Sequence, residues 1–322
     1  MRQLEKVKWA GDFGLYRVKH ESLPKATHIL CMPSAHRILY NPLVCGMPLR
    51  NLSLECSKEF LRTAWALLPQ LNKIKTSQIG EIVVLRGSLG YQFDAAFEQI
   101  FGRYLPRCFV GVRRRRTSGG EFGADVFYTN FDALPDNGFL FMGDTIATGV
   151  SLGQTMAMAR SELRERDYDV KGMFVFTIAG ALKGCSKLLD WEERFREWWP
   201  SFRIHLFAAE GLFGLAGNGT DLLFRKKNEA ILPDESKLRV TRAYGDYELG
   251  YLPGKICAIF DWGDRNFKPE RHLSDVLKFS TEHIRITKES KAREVLKSMN
   301  VGAKGMLRKI DAPLPAPQYK RR

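Results

Sequence analysis

The sequence lacks several features that would place it in a specialised class. None of its apolar runs approaches the roughly 20 residues that a membrane-spanning helix needs, and residues 1–8 contain no apolar signal core. Six cysteines in 322 residues are also too few for a disulfide scaffold. These absences predict a cytoplasmic protein with reduced thiols and no membrane partner.

Metal-ligating patterns are missing as well. No two cysteines form a C-x-x-C pair, and the six histidines are scattered without an H-E-x-x-H motif. The sequence therefore predicts no structural zinc site, and it offers no residues that we assign as metal ligands.

Acidic residues are fewer than basic ones, with 36 Asp and Glu against 50 Lys and Arg, which gives a formal charge of +14. The hydrophobic fraction of 44% is that of an ordinary globular protein and argues against wholesale disorder. A basic protein favours anionic partners, which include both nucleic acids and phosphorylated small molecules. Composition does not separate these two partner classes.

From residue 80 onwards, short apolar runs alternate with amphipathic helical patterns. Continuous Val, Ile and Phe runs separated by helices are typical of a parallel sheet that is covered on both faces. We therefore predict an α/β fold with a doubly wound parallel sheet. The predicted strands are residues 81–85, 107–112, 125–129, 138–142, 171–178 and 202–207.

Residues 139–151, Phe-Leu-Phe-Met-Gly-Asp-Thr-Ile-Ala-Thr-Gly-Val-Ser, carry the strongest functional signal. A buried strand leads into one acidic residue, a loop of small residues and the start of a helix. Such a loop brings backbone N–H groups together around a phosphate, and the helix start adds a positive dipole. In this interpretation Asp144 accepts hydrogen bonds from sugar hydroxyls. The alternative is a tight turn with a helix cap. The loop residues assigned to substrate binding are Thr145, Ala147, Thr148, Gly149 and Ser151.

This element resembles the phosphoribosyl pyrophosphate loop of the type I phosphoribosyltransferases, and the chain is most similar to the uracil phosphoribosyltransferases. Gly143 and Val150 stand where that family has an acidic residue and a second glycine. The resemblance implies a phosphoribosyltransferase-like core over residues 80–208 and a base-binding hood over 209–267. Residues 1–79 form a mixed, partly helical lead-in, and residues 268–322 a basic helical tail.

A second motif, Arg-Gly-Ser-Leu-Gly, follows the first predicted strand at residues 86–90. By itself it predicts only a turn. It resembles the family's pyrophosphate loop, in which Arg86 would neutralise pyrophosphate and Gly87 and Ser88 would bind the substrate.

Four consecutive arginines, Arg113–Arg116, follow the second predicted strand. A basic run is usually a solvated face or a nucleic-acid patch. Together with Thr117 and residues 127–135, the run resembles the family's long flexible loop. The resemblance implies that Arg113 and Arg116 close over the pyrophosphate and exclude water.

The segments 250–254 and 261–267 resemble the family's base-recognition segment. The resemblance assigns Asp261, Gly263, Asp264 and Arg265 to substrate binding, with Trp262 replacing a small residue. The alternative is a structural turn that contains a local ion pair.

The resemblance implies an enzyme that transfers ribose 5-phosphate from phosphoribosyl pyrophosphate to a nucleobase such as uracil, with Mg²⁺ as cofactor. Arg86, Asp144 and Arg113 would be its catalytic residues, and the enzyme would be a homodimer. Gly143, Val150 and Trp262 motivate an alternative, a regulatory protein that binds phosphoribosyl pyrophosphate without transfer. Nucleic-acid binding through the arginines and the basic tail is a third, less favoured hypothesis.

Overall fold

A computed structural model describes residues 3–10, 13–116, 122–224, 229–244, 261–287 and 290–312. Within these ranges the chain forms a nine-stranded sheet, a three-stranded sheet and ten α-helices. The strands are β1 (Leu4–Ala10), β2 (Phe13–Val18), β3 (Ala26–Cys31), β4 (Ile79–Leu85), β5 (Arg107–Arg116), β6 (Phe122–Asn130), β7 (Gly138–Gly143), β8 (Val170–Thr177), β9 (Gly180–Ala181), β10 (Arg203–Ala209), β11 (Leu212–Leu215) and β12 (Leu222–Leu223).

The helices alternate with the strands in the middle of the chain and follow one another at its C-terminal end. The α-helices are α1 (Pro33–Leu39), α2 (Gly46–Leu67), α3 (Phe93–Phe101), α4 (Val150–Glu165), α5 (Leu182–Cys185), α6 (Lys187–Arg196), α7 (Asp234–Tyr244), α8 (Trp262–Phe267), α9 (Pro269–Ile286) and α10 (Ser290–Ile310). Short 3-10 helices lie at Pro69–Lys73, Thr76–Gln78 and Gly87–Tyr91.

The large sheet has the strand order β1-β2-β3-β10-β8-β7-β4-β5-β6. The six strands from β3 to β5 in this order are parallel, while β6 and the β1–β2 hairpin are antiparallel edges. The predicted α/β class with a mostly parallel sheet is thus confirmed. The N-terminal segment adds three strands that the sequence analysis does not predict, and β3 pairs directly with β10.

Alternating side chains of the central strands supply two separate hydrophobic cores. Phe141 and Phe174 stack at 4.7 Å on the face that also packs α2 and α3. Leu140 and Met142 point to the opposite face and pack with α4 and α6. Successive side chains of a strand point to opposite faces of the sheet. Because consecutive residues of these strands are buried, both faces must be covered, and helices cover them here.

The apolar residues of helix α4 determine which of its faces packs on the sheet. Leu152, Met156, Ala159 and Leu163 recur at helical spacing and are all buried, so they form the stripe that packs on the sheet. The helix begins after Gly149, which has a φ of 72°. Few residues other than glycine adopt that backbone conformation, so the start of the helix depends on this position.

Two further structural observations bear on the sequence-based expectations. In the described part of the chain, no helix combines the length and apolar character needed to span a membrane. The five cysteines in these ranges are buried free thiols: Cys31, Cys45, Cys56, Cys108 and Cys185. The predicted domain bounds remain predictions, although α9 and α10 occupy the segment assigned to a helical tail.

Arg265, which the resemblance assigns to substrate binding, lies in the interior of the protein. It is fully buried, and its guanidinium donates to the carbonyl oxygens of Ile38, Asn41 and Val44, each at 2.8 Å. A charged group that is taken out of water requires such partners. Arg265 therefore ties α8 to the end of α1 and to the segment that follows α1.

Replacing Arg265 by methionine should lower the free energy of unfolding by about 3 kcal/mol or more, because three buried carbonyl groups lose their donor. Urea unfolding followed by circular dichroism measures the change. The control is Arg293→Met on the exposed side of α10, which should change the free energy by no more than about 0.5 kcal/mol. Equal destabilisation by the two substitutions would contradict the role given to Arg265.

Candidate functional site

A cavity of about 590 Å³ opens at the carboxyl ends of β4 and β7. In sheets of this kind the carboxyl edge is where ligands bind, since the strand-to-helix loops meet there. Most of the predicted site residues line this one cavity. They are Arg86, Gly87, Arg113, Asp144, Thr145, Ala147, Thr148, Gly149, Ser151, Asp261 and Gly263.

The loop between β7 and α4 is held by backbone hydrogen bonds to the segment that follows β8. The Ile146 N–H donates to the Ala179 carbonyl at 3.0 Å, and the Ala181 N–H donates to the Ile146 carbonyl at 2.6 Å. The first N–H groups of any α-helix have no acceptor within the helix, and its N-terminus carries a partial positive charge. Because Val150 and Ser151 line the cavity, this helix start can bind an anion there.

Two glycines permit this loop to pack as closely as it does. A Cβ atom on Gly184, in α5, would lie 2.2 Å from the Ala147 carbonyl oxygen. A Cβ atom on Gly149 would lie 2.8 Å from the Gly184 carbonyl oxygen. The loop thus packs tightly against β9 and α5, and Gly184 is a supporting residue that the sequence analysis does not identify.

Asp144 is the acidic residue at the strand end, and its side chain is largely out of solvent, with 9% of the residue exposed. Burial raises the pKa of its carboxyl to about 7, while the Thr145 N–H and the Arg114 charge act in the opposite direction. That N–H donates to Oδ1 of Asp144 at 2.8 Å. A Cβ atom on Gly87 would lie 2.6 Å from the same oxygen, so Gly87 leaves room for the carboxyl.

Gly143 stands where the resembled family has a second acidic residue. The packing around it explains why this position holds a glycine. A Cβ atom there would lie 2.4 Å from the Phe93 ring and 2.8 Å from the Tyr91 ring. Both aromatic side chains are fully buried. The packing of the core therefore excludes any larger residue at this position and leaves Asp144 as the acid of this turn.

The turn after β4 presents Arg86 to the cavity with 55% of its side chain exposed. The Leu85–Arg86 peptide bond is cis. Ser88 was predicted to bind substrate, but it is buried and its hydroxyl oxygen accepts a hydrogen bond from the Val84 N–H at 2.9 Å. Ser88 therefore closes the turn and does not line the cavity.

The four arginines lie on strand β5 and not in a loop, because this part of the strand pairs with β6. Arg113 and Arg114 line the cavity. Arg115 pairs with Asp125 at 2.8 Å, and Arg116 lies over the Phe122 ring and lines a neighbouring cavity. Thr117 lies outside the described residues. The sequence analysis therefore identifies the arginine cluster. It does not single out Arg114, whose charge lowers the pKa of Asp144.

Helix α8 brings the other predicted segment to the same cavity. Asp261 caps the helix by accepting a hydrogen bond from the Asp264 N–H at 2.8 Å. Asp264 is buried and pairs with Arg271 at 3.1 Å, so it supports the helix and does not line the cavity. The Trp262 indole N–H donates to the Gly87 carbonyl at 3.1 Å, which joins this helix to the Arg86 turn. Residues 250–254 lie outside the described residues.

The turn between β11 and β12 adds Thr220 and Asp221 to the cavity wall. The Asn218 side chain donates to the Asp221 carboxylate at 2.6 Å and so fixes its position. Sequence reasoning does not find Asp221, because no motif surrounds it and only the fold brings it to the loop at residues 144–149. The cavity thus combines arginine side chains, helix N–H groups and carboxylates. It can bind phosphates at one part of its wall and hydroxyl groups at another.

Comparison with known proteins gives little further information. No protein-family model matches the sequence, and no curated protein sequence matches it. One solved structure that matches is an adenine phosphoribosyltransferase from Trypanosoma brucei in complex with AMP, pyrophosphate and ribose-5-phosphate. It has a TM-score of 0.37 and 9% identity, over 69% of this chain and 98% of that chain. A similarity of this size assigns neither a family nor an activity.

Proposed function

We propose that this chain binds phosphoribosyl pyrophosphate in the 590 Å³ cavity and transfers its ribose 5-phosphate to a nucleobase. The observation that supports the proposal is the convergence of three elements on one cavity: the loop at residues 144–149, the Arg86 turn and the first two arginines of the run on β5. Each element suits a different part of that substrate.

The loop and the start of α4 suit the 5-phosphate. Thr148 and Ser151 add hydroxyl groups to the N–H groups of the helix start, and all of them lie on the cavity wall. Binding energy from this remote phosphate would hold C1 of the ribose beside the base. Asp144, at the end of β7, would accept hydrogen bonds from the ribose hydroxyls.

Arg86 and Arg113 suit the pyrophosphate group. When the C1–O bond breaks, pyrophosphate leaves with the bonding electrons and positive charge develops on the sugar. A ring nitrogen of the base then bonds to C1 and gives up its proton. Fixed guanidinium groups stabilise the negative charge that develops on the leaving group. Arg114 lies next to Arg113 on β5 and also lines the cavity, so we propose that it contributes to the same stabilisation.

Mg²⁺ is the cofactor that we propose for the reaction. In the described ranges no three His, Cys, Asp or Glu side chains form a metal cluster. Mg²⁺ commonly binds through one or two carboxylates together with substrate phosphates, and it keeps several waters. Asp221 and Asp261 line the cavity and would hold the hydrated ion by accepting hydrogen bonds from its waters. When bound, the ion would neutralise part of the pyrophosphate charge.

We propose a pyrimidine such as uracil as the base, on the resemblance of residues 261–267 to a base-recognition segment. Trp262 lines the cavity at that position. The second candidate function is binding of phosphoribosyl pyrophosphate without transfer. The observation that favours it is the packing around Gly143, which leaves the turn with one carboxylate.

Purified protein should release pyrophosphate from phosphoribosyl pyrophosphate when Mg²⁺ and an accepted base are present. A coupled pyrophosphatase assay with a panel of pyrimidines and purines measures the release. Arg86→Gln should lower kcat/KM by about 10² to 10³-fold, because it removes a charge aimed at the leaving group. The control, Arg103→Gln, changes an exposed arginine outside the cavity and should leave kcat/KM unchanged. If the protein binds phosphoribosyl pyrophosphate but releases no pyrophosphate with any base, the non-catalytic candidate is supported. If it neither binds phosphoribosyl pyrophosphate nor releases pyrophosphate, both functions are contradicted.

The affinity for phosphoribosyl pyrophosphate should depend on the ionisation of Asp144. Since burial holds the pKa of this carboxyl at about 7, it is largely protonated at lower pH. The ionised Asp144 carboxylate is the form that accepts hydrogen bonds from two hydroxyl groups. The affinity for phosphoribosyl pyrophosphate should therefore rise by up to about tenfold per pH unit towards pH 7 and then level off. Calorimetric titrations from about pH 5.5 to about pH 8.5 measure this rise.

The matched variant for this titration is Asp144→Asn. It should show only the pH dependence of the ligand's own phosphate and pyrophosphate groups, of which the 5-phosphate has a second pKa of about 6. The difference between the two curves isolates the carboxyl. Identical curves for wild type and variant would mean that Asp144 does not bind the ligand as an ionised group.

Gly184→Ala should weaken the binding of phosphoribosyl pyrophosphate by about tenfold or more, because the new Cβ atom displaces the Ala147 carbonyl and with it the loop. Gly305→Ala is the control, since nothing lies within 4 Å of a Cβ atom there. Calorimetry measures the dissociation constants, and thermal unfolding establishes that both variants are folded. Unchanged affinity in a folded Gly184→Ala protein would show that the packing of Gly184 against Ala147 does not position the phosphate site.

A further inference from the structure

A second cavity, of about 790 Å³, lies beside the first and is not used by the proposed transfer reaction. Its wall is formed by the end of the β5–β6 hairpin, the segment from α5 into α6 and the turn at residues 215–219. Among the described residues, three cationic side chains, Arg116, Lys183 and Lys187, line it together with one carboxylate residue, Glu229. The lining therefore carries an excess of positive charge.

The two cavities share part of the loop and helix start that we assign to the 5-phosphate. Thr148 and Val150 line both of them. The stem of Lys187 lies against the same loop, since its Cδ would be 3.2 Å from a Cβ atom on Gly149. The second cavity thus adjoins the first at this loop and helix start.

The cations of the second cavity differ in how they are held. Arg116 lies 4.9 Å from the centre of the Phe122 ring, which fixes its guanidinium on one wall. Within the described ranges neither Lys183 nor Lys187 forms an ion pair with a carboxylate. Both lysines are therefore available to an external anion. Lys187 is the first residue of α6.

We propose that the second cavity binds a phosphate-bearing anion while phosphoribosyl pyrophosphate occupies the first. Lys183 and Lys187 would pair with the phosphate oxygens, and Arg116 would close the opposite side. The proposal goes beyond the transfer reaction, which needs only the first cavity. Because Thr148 and Val150 belong to both walls, each ligand should change the affinity for the other by the same factor.

The experiment uses inorganic pyrophosphate as the probe in calorimetric titrations of the full chain. In the presence of saturating phosphoribosyl pyrophosphate, the wild-type protein should still bind pyrophosphate at one site. The double variant Lys183→Gln/Lys187→Gln should lose at least about tenfold in that affinity, because two charge-assisted contacts are removed. Lys73→Gln/Lys171→Gln removes the same charge from exposed positions outside both cavities and should have no effect.

A further variant separates this proposal from the proposed function. Arg86→Gln/Arg113→Gln removes cations from the first cavity only, so it should retain the Lys183- and Lys187-dependent site even if phosphoribosyl pyrophosphate does not bind. Full competition between the two ligands in wild type would overturn the second site. So would pyrophosphate binding that is equal in wild type and in the Lys183→Gln/Lys187→Gln variant.

Discussion

The backbone clamp on the loop at residues 144–149 is the constraint on which the candidate site depends. The loop hydrogen-bonds to the segment after β8, and the carbonyl group of Ala147 packs directly on Gly184. This contact leaves no space for a side chain, so the loop cannot move towards α5 without unpacking it. A rigid backbone of this kind can present N–H groups to a phosphate without reordering on binding. The clamp also places Asp144 beside the Arg86 turn.

A second set of contacts ties remote parts of the chain to that turn. Arg265, in α8, is buried against carbonyl groups at the end of α1 and in the segment that follows it, and α9 and α10 follow α8 in the chain. From the same short helix, Trp262 reaches the Gly87 carbonyl. Because a buried guanidinium without partners is costly, displacement of this helix from these carbonyl groups is unfavourable. The N-terminal and C-terminal segments therefore support the cavity even though most of their residues do not line it.

The sequence predicts those features that depend on local pattern. Continuous apolar runs predict the central strands, and a strand, an acid and a small-residue loop predict the loop that lines the cavity. It does not predict that Arg113–Arg116 form a strand, since their pairing with β6 overrides the preference of a charged run for a solvated loop. Asp221 and Gly184 were not predicted either, because each acquires its role through contact with a distant segment. The resemblance identified Arg265 as important but could not reveal that its partners are main-chain carbonyl groups far away in the sequence.

The single carboxyl of the β7–α4 turn follows from the aromatic packing beneath it. The rings of Tyr91 and Phe93 fill the space where a second acidic side chain would stand. The remaining acid, Asp144, is buried, and burial holds its pKa near 7, so the unliganded fold does not have to hold a full buried charge. A ligand that brings hydroxyl donors replaces the missing solvent and favours the ionised form. The same aromatic core that stabilises the sheet therefore limits this turn to one carboxyl group, and burial of that carboxyl raises its pKa.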